Sequence, residues 1–316
     1  MRSKYGLYLL CSVAVIGFSS SAKALENGVS NYPAGSVGTN FAEFPPIPGI
    51  FVLNQTNYSS ANALYDNNGN KNNAIPYKQN VYSDTVRLLV NYPGHLPDGL
   101  SLHSQLVFPI VSLHDEIFGQ KTDTTGLSNI TITPLIAEWN PRPHVYATLG
   151  FDFILPNGPF STTSPSVSTG YATYSPVLAL RYDQPNGPDI GASQRLLINA
   201  ENTNTNYQSG NAYEADFFAG WNFGPWKVGA VGGFLDQYSN DTNAAGTVQP
   251  DGNRTETFGI GPSVTYQGLL FGKIPINVNL NFQAGVYAQN TAKSNNVWLN
   301  IGFPLYVVPP VPRQQS

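Results

Sequence analysis

The alternation of apolar and polar residues is clearest between Ile274 and Ala288. There Ile274, Ile276, Val278, Leu280, Phe282, Ala284 and Val286 interleave with Pro275, Asn277, Asn279, Asn281, Gln283, Gly285 and Tyr287. A period of two puts each set on its own face of a strand, one hydrocarbon and one amide. Asn is a poor strand former, and three asparagines with a glutamine in one row suit a water-filled interior better than the core of a soluble sandwich. Val297, Leu299, Ile301, Phe303, Leu305 and Val307 make a second oily row, and Val145, Ala147, Leu149, Phe151, Phe153 and Leu155 a third.

Further extended segments fall at 50–58, 81–91, 100–111, 128–138, 171–182, 189–201, 211–222, 225–237 and 255–267, bounded by Gly, Pro, Asn and Asp. Each is near the roughly 9 to 11 residues of a tilted membrane-spanning strand, or a little longer. The pattern predicts an all-β fold: a transmembrane, antiparallel, up-and-down barrel of about twelve strands, an even number as single-chain bacterial barrels have. Connections at 59–80, 112–127, 156–170 and 237–254 are long. Those at 93–99, 140–143, 183–188, 223–225 and 268–272 are brief, and the seventh and eleventh are intermediate. Short periplasmic turns and longer outside loops give this alternation in an outer-membrane barrel, whereas a sandwich has no reason for it. Trp139, Trp221, Trp226 and Tyr266 fall at strand ends beside the brief turns, where an aromatic girdle meets the lipid headgroups.

Before the first strand, residues 25–49 hold Tyr32-Pro33-Ala34-Gly35 and Phe44-Pro45-Pro46-Ile47-Pro48-Gly49, whose prolines forbid a helix or a central strand. This irregular arm, apolar at Phe41, Phe44 and Ile47, is expected either to enter the lumen as a plug or to hang in the periplasm. Residues 1–24 read as an export signal: Arg2 and Lys4 precede an apolar stretch from Tyr5 to Phe18 and the small-residue site Ala22-Lys23-Ala24, so cleavage is expected after Ala24. The barrel is expected over 50–308, with a Pro-rich tail at 309–316. Asn300-Ile301-Gly302 followed by Leu305 and Val307 loosely matches the terminal signal read by the barrel-assembly machinery, an expected partner during biogenesis.

Composition narrows the chemistry. The only cysteine, Cys11, lies in the signal, so the mature chain offers neither a disulfide nor a thiolate site. Loss of Arg2, Lys4 and Lys23 takes the formal net charge from −4 to −7, which argues against nucleic acid as a partner. Charged residues are 11% of the chain, against roughly a quarter in soluble domains. Nothing after Phe18 is apolar for the roughly 20 residues that a membrane helix needs. No cofactor or metal is expected. Asp66-Asn67-Asn68-Gly69-Asn70 lacks the spacing and closing Glu of an EF-hand and reads as a solvated hairpin tip.

With the oily rows toward lipid, alternation points Arg87, His103, Asp152, Arg181, Arg195, Glu214, Asp216 and Lys227 into the lumen, since a lipid-facing Arg or Lys near the midplane costs roughly 2–4 kcal/mol. These are the candidate lumen-lining and transport residues. Asp152 is expected to pair with Arg181, and Arg195 with Asp216. The set reads more readily as an ion-pair lattice than as a selective constriction, because a selective pore segregates sign. Of His95, His103, His114 and His144, only His103 is placed on a strand facing inward, and the chain has no Gly-x-Ser-x-Gly elbow, so an enzyme is not expected. Gly229, Gly232, Gly233, Gly259 and Gly261 sit in strands, where they relieve crowding or permit bends.

Several phrases in this order resemble one outer-membrane family: Asn27-Gly28-Val29-Ser30, the 67–70 turn, Gly126-Leu127-Ser128-Asn129-Ile130-Thr131-Ile132-Thr133-Pro134, the stretch from Gly150 to Pro159, Ser175-Pro176-Val177-Leu178-Ala179-Leu180 and Tyr207-Gln208-Ser209-Gly210. The family is the one associated with the meta-cleavage pathway of phenol degradation. The resemblance implies residence in the outer membrane of a Gram-negative cell and uptake of aromatic or other hydrophobic compounds. It carries over no functional residues. The reading is thus a channel, in contact with outer-membrane lipid, for passive uptake of small hydrophobic solutes. The alternative is a structural or adhesive surface barrel with a closed lumen.

Overall fold

The structure is a computed structural model that describes residues 25–94, 99–248 and 252–309. The segment read as an export signal, the tail beyond Pro309 and the middle of the 93–99 turn lie outside the described residues. Strands β1 (Gly49–Leu64), β2 (Tyr77–Asn91), β3 (Ser101–Ile117), β5 (Thr131–Arg142), β6 (Val145–Ile154), β7 (Thr173–Asp183), β8 (Pro188–Asn199), β10 (Ala212–Phe223), β11 (Trp226–Gln237), β14 (Glu256–Leu270), β15 (Ile274–Gln289) and β16 (Ala292–Val307) pair antiparallel with their sequence neighbours. β16 returns to β1 from Gly49↔Val307 to Leu64↔Ala292, which closes a twelve-stranded barrel. Closure is what the membrane demands, because an open edge in hydrocarbon would leave its N–H and C=O groups without partners.

The period-two rows sort as their chemistry dictates. Leu280, Phe282, Val297 and Leu299 face outward, whereas Asn279, Asn281, Gln283 and Asn300 are buried inside. Leu280→Arg is expected to cost about 2–4 kcal/mol, the penalty of a cation on the lipid face. Urea titration of the gel-shifted folded form checks this, and an unchanged midpoint would contradict the assignment of that face to lipid.

Three connections differ from the sequence reading. The 112–127 segment is not a loop: β3 continues to Ile117 and turns into β4 (Gln120–Leu127), which pairs with it from Ile117↔Gln120 to Ile110↔Leu127. Thr122, Thr124 and Thr125 are β-branched and favour this hairpin. β1 likewise runs six residues past 58, and the eleventh connection shrinks to Asn290 and Thr291, with Asn290 at φ 52° as Asn tolerates. The alternation of loop lengths therefore fails at that one place. Short pieces β9 (Tyr207–Gln208), β12 (Thr242–Asn243) and β13 (Gly246–Thr247) form a small separate sheet among the long loops.

Gly224-Pro225 and Pro143-His144 make the tightest turns at the opposite end, where Gly49 and Val307 also lie. Short turns together with the strand termini assign this end to the periplasm. Trp221 and Trp226 are exposed here, and the Trp226 and Tyr266 rings lie 5.0 Å apart on paired strands. Trp298, in contrast, is buried inside.

The arm lies inside the barrel. Tyr32, Val37, Phe41 and Ala42 pack with Ala179, Leu197, Phe218, Val231 and Leu235, the inward side chains of β7, β8, β10 and β11. Its first residues sit among the outer loops, where the Glu26 N–H donates to Ser209 Oγ at 2.9 Å. Its last residues reach the periplasmic end, where Asn91 Nδ2 donates to Pro45 O at 2.7 Å. The arm therefore threads the lumen from end to end. Phe41 is buried and Phe44 stacks on His103, but Ile47 is 43% exposed at the periplasmic mouth. Ile47 lies at the rim of the cavity that opens at this end, where the arm leaves the wall.

Candidate functional site

A proline-rich segment cannot satisfy its own backbone by helix or sheet, so a buried one needs partners from its surroundings. The amide row provides them. Gln283 Nε2 donates to Gly35 O at 2.8 Å and Gln55 Nε2 to Ser36 O at 2.7 Å. The row is itself linked, Asn281 to Asn279 at 2.9 Å and Asn300 to Asn279 at 3.0 Å. On the facing wall both oxygens of Asp216 accept backbone N–H groups of the arm, from Gly35 and from Val37, the latter at 3.0 Å. Gly233 explains how the backbones come so close: a Cβ there would lie 2.2 Å from Gly35 N. The strand glycine read as relieving crowding is where the arm crosses.

The charged side chains form two ion-pair clusters, with pairings unlike those expected. Arg195 on β8 lies 3.0 Å from Asp152 and 2.9 Å from Glu214, and its guanidinium sits 3.4 Å from the centre of the Tyr32 ring. Register sets the choice, since Glu214 is directly opposite Arg195 whereas Asp216 is opposite Ser193. Asp152 lies opposite Ser175 on the intervening β7, so a small side chain lets Arg195 reach across. Arg181 instead forms a fork on Asp189, at 2.9 and 2.8 Å, and also meets Asp183 at 2.5 Å and Glu43 of the arm at 3.2 Å. Lys227 joins Asp183 at 3.3 Å and contacts Asp189. Burial drives the Glu43 carboxyl above its ordinary range, with Arg181 pulling it back.

Near the periplasmic end, His103 is held between Asn91 Oδ1 at 2.8 Å and Glu138 Oε2 at 2.9 Å, under the Phe44 ring at 4.3 Å. Both ring nitrogens are taken, so neither is free to receive a proton from a serine hydroxyl.

All eight charged or titratable residues read from the alternation point inward. Those missed are Glu43, Glu138, Asp183 and Asp189. The strand parity of Arg181, extended one residue past the assumed end at 182, reaches Asp183, and the parity of Arg195 within the assumed 189–201 strand already includes Asp189. Only tertiary structure brings Glu43 to them.

Because the arm hugs the β7–β11 wall, space remains on the other side. A cavity of about 380 Å³ opens toward the outer loops, lined by Val81, Val107, Val111, Leu113, Phe258 and Trp298. A second of about 640 Å³ opens toward the periplasm, lined by Phe44, Phe51, Leu53, Leu89, Ile136 and Val177. Arg87, Gln105 and Asp152 line both cavities. There Arg87 donates to Gln105 at 3.2 Å, Gln105 to Thr133 at 2.9 Å, and Thr133 to Asp152. A polar neck thus lies between an outer chamber of mixed lining, where Gln55, Asn57, Gln79 and Asn129 stand among the apolar side chains, and a mainly apolar inner one, each within the range of small-molecule pockets.

A sequence model of the family described as "Putative MetA-pathway of phenol degradation" matches residues 61–301. No curated protein matches the chain. Among solved structures, the COG4313 outer membrane channel from Pseudomonas putida F1 is similar, with a TM-score of 0.71 at 15% identity over 84% of this chain and 98% of that one. The transport unit of the autotransporter AIDA-I from Escherichia coli has a TM-score of 0.53 at 10% identity, over 87% of this chain and 95% of that one.

Proposed function

Because the chain belongs to the MetA-pathway of phenol degradation family and has the fold of an outer-membrane channel, we propose that it is a channel for passive uptake of small hydrophobic or aromatic compounds. The observation that carries this reading is the mainly apolar inner chamber meeting the mixed outer one at the Arg87, Gln105 and Asp152 neck. Apolar walls lower the cost of taking an aromatic ring out of water, and a narrow neck excludes large hydrated solutes. The buried ion-pair clusters hold the arm and the β6–β10 wall in place, and the path runs beside them.

Two experiments test it. A deletion strain is expected to grow more slowly on aromatic carbon sources at limiting concentration, and proteoliposomes with the purified protein are expected to swell in small solutes. Normal growth together with inert proteoliposomes would favour the second reading, a closed surface barrel, which the packing of the arm across the lumen supports.

Arg87→Ala is expected to join the chambers and raise solute flux severalfold. Stability should hardly change, because Arg87 makes one hydrogen bond to Gln105 while its Nε has no partner. Flux equal to wild type would place the rate-limiting step elsewhere.

A further inference from the structure

Two buried carboxylates at the outer end of the lumen pair with no cation among the described residues. Asp241 is fully buried. Its Oδ1 accepts from Gly210 N–H and Gln237 Nε2, each at 2.6 Å, and its Oδ2 from the Tyr207 hydroxyl at 2.6 Å and Asn253 Nδ2 at 3.4 Å. Glu26 is buried nearby, accepting from Asn202 at 2.7 Å. Among the described residues no lysine, arginine or histidine forms an ion pair with either. Burial raises both carboxyls above their ordinary values, and Asp241 raises Glu26 further. A buried charge without a partner is costly.

A further hydrogen bond to Asp241 comes from the backbone N–H of Leu25, a residue only 2% exposed. Leu25 is held at φ 54°, in the left-handed region that strains any residue carrying a Cβ. The amide preceding Leu25 is also the bond at which the sequence predicts export cleavage.

We propose that Asp241 is the receptor for the chain's own processed amino terminus. Water hydrolyses the Ala24–Leu25 amide, leaving a carboxylate on Ala24 and converting the Leu25 N–H that donates to Asp241 into an ammonium. The product is a buried ion pair. Cleavage removes the φ torsion that strains Leu25 and supplies a cation to Asp241 and Glu26, which have none among the described residues. It also fixes the outer end of the arm, whose inner end is already continuous with β1. The arm is then a strap held at both ends. This inference needs cleavage after Ala24 and does not depend on what the lumen transports.

Intact mass of the protein purified from outer membranes is expected to place its amino terminus at Leu25. Reductive dimethylation of the folded protein is expected to modify that amine at least about tenfold more slowly than in Asp241→Asn, while Lys78 and Lys121 react equally in both; a tenfold difference corresponds to ~1.4 kcal/mol. Should Asp241→Asn fail to show the heat-sensitive gel shift of a folded barrel, a second variant leaves Asp241 intact. It is the mature chain with one additional Met before Leu25, refolded in detergent, which moves the ammonium outward by a residue and is expected to react fast. A terminus at another residue, or equal amine reactivity in wild type and whichever variant folds, overturns the proposal.

Discussion

Deleting Glu26–Pro48 is expected to raise single-channel conductance in planar bilayers severalfold while leaving the barrel folded. The wall does not need the arm for closure: β1 pairs with β16 and β2 over most of its length. The lumen does need it to stay narrow, since Tyr32, Val37, Phe41 and Ala42 fill the space against β7 to β11. Without the arm, Gln283, Gln55 and Asp216 lose the backbone groups they hold. Water replaces those groups at little cost in a lumen open at both ends, so stability changes less than conductance. Unchanged conductance in a chain that still shows the heat-sensitive gel shift would remove the plug reading.

Arg195→Met is expected to lower stability by about 3–5 kcal/mol, because removing one member of a buried ionic group strands the others. Asp152 and Glu214 would be left buried without their cation, and Tyr32 would lose the guanidinium on its face. Arg195→Lys is expected to restore little, since one ammonium cannot present a planar fork to two carboxylates and stack on a ring. Adding Asp152→Asn and Glu214→Gln to Arg195→Met is expected to recover much of the loss, because both stranded charges are then neutral. The denaturant midpoint of the folded band is the measurement. An Arg195→Met protein as stable as wild type would show that this cluster is hydrated and carries little of the fold.

Part of this site is legible from the chain. Alternation alone turned Arg195, Glu214 and Lys227 inward, because a strand offers only two faces and lipid is ruinous for one of them. Alternation could not assign partners, because pairing depends on register: a shift of two residues along β10 exchanges Glu214 for Asp216 opposite Arg195. The strand limits at 58 and 111 are too short, since Ser, Thr and Asn beyond them read as loop, although the neighbouring strands extend pairing further.

By itself, the sequence determined that this chain is a closed, lipid-facing barrel with an amide-lined interior, since a hydrophobic period of two in a membrane admits no other arrangement. It also determined that the proline-bearing stretches of the arm, 32–35 and 44–48, could be neither helix nor central strand, because proline forbids both. Only the tertiary structure decided where that arm goes and what it leaves open. The arm's course depends on backbone groups meeting Gln283, Gln55 and Asp216 from strands far apart in the chain. The two chambers and the Arg87, Gln105 and Asp152 neck are what remains of the lumen after the arm has packed against one wall.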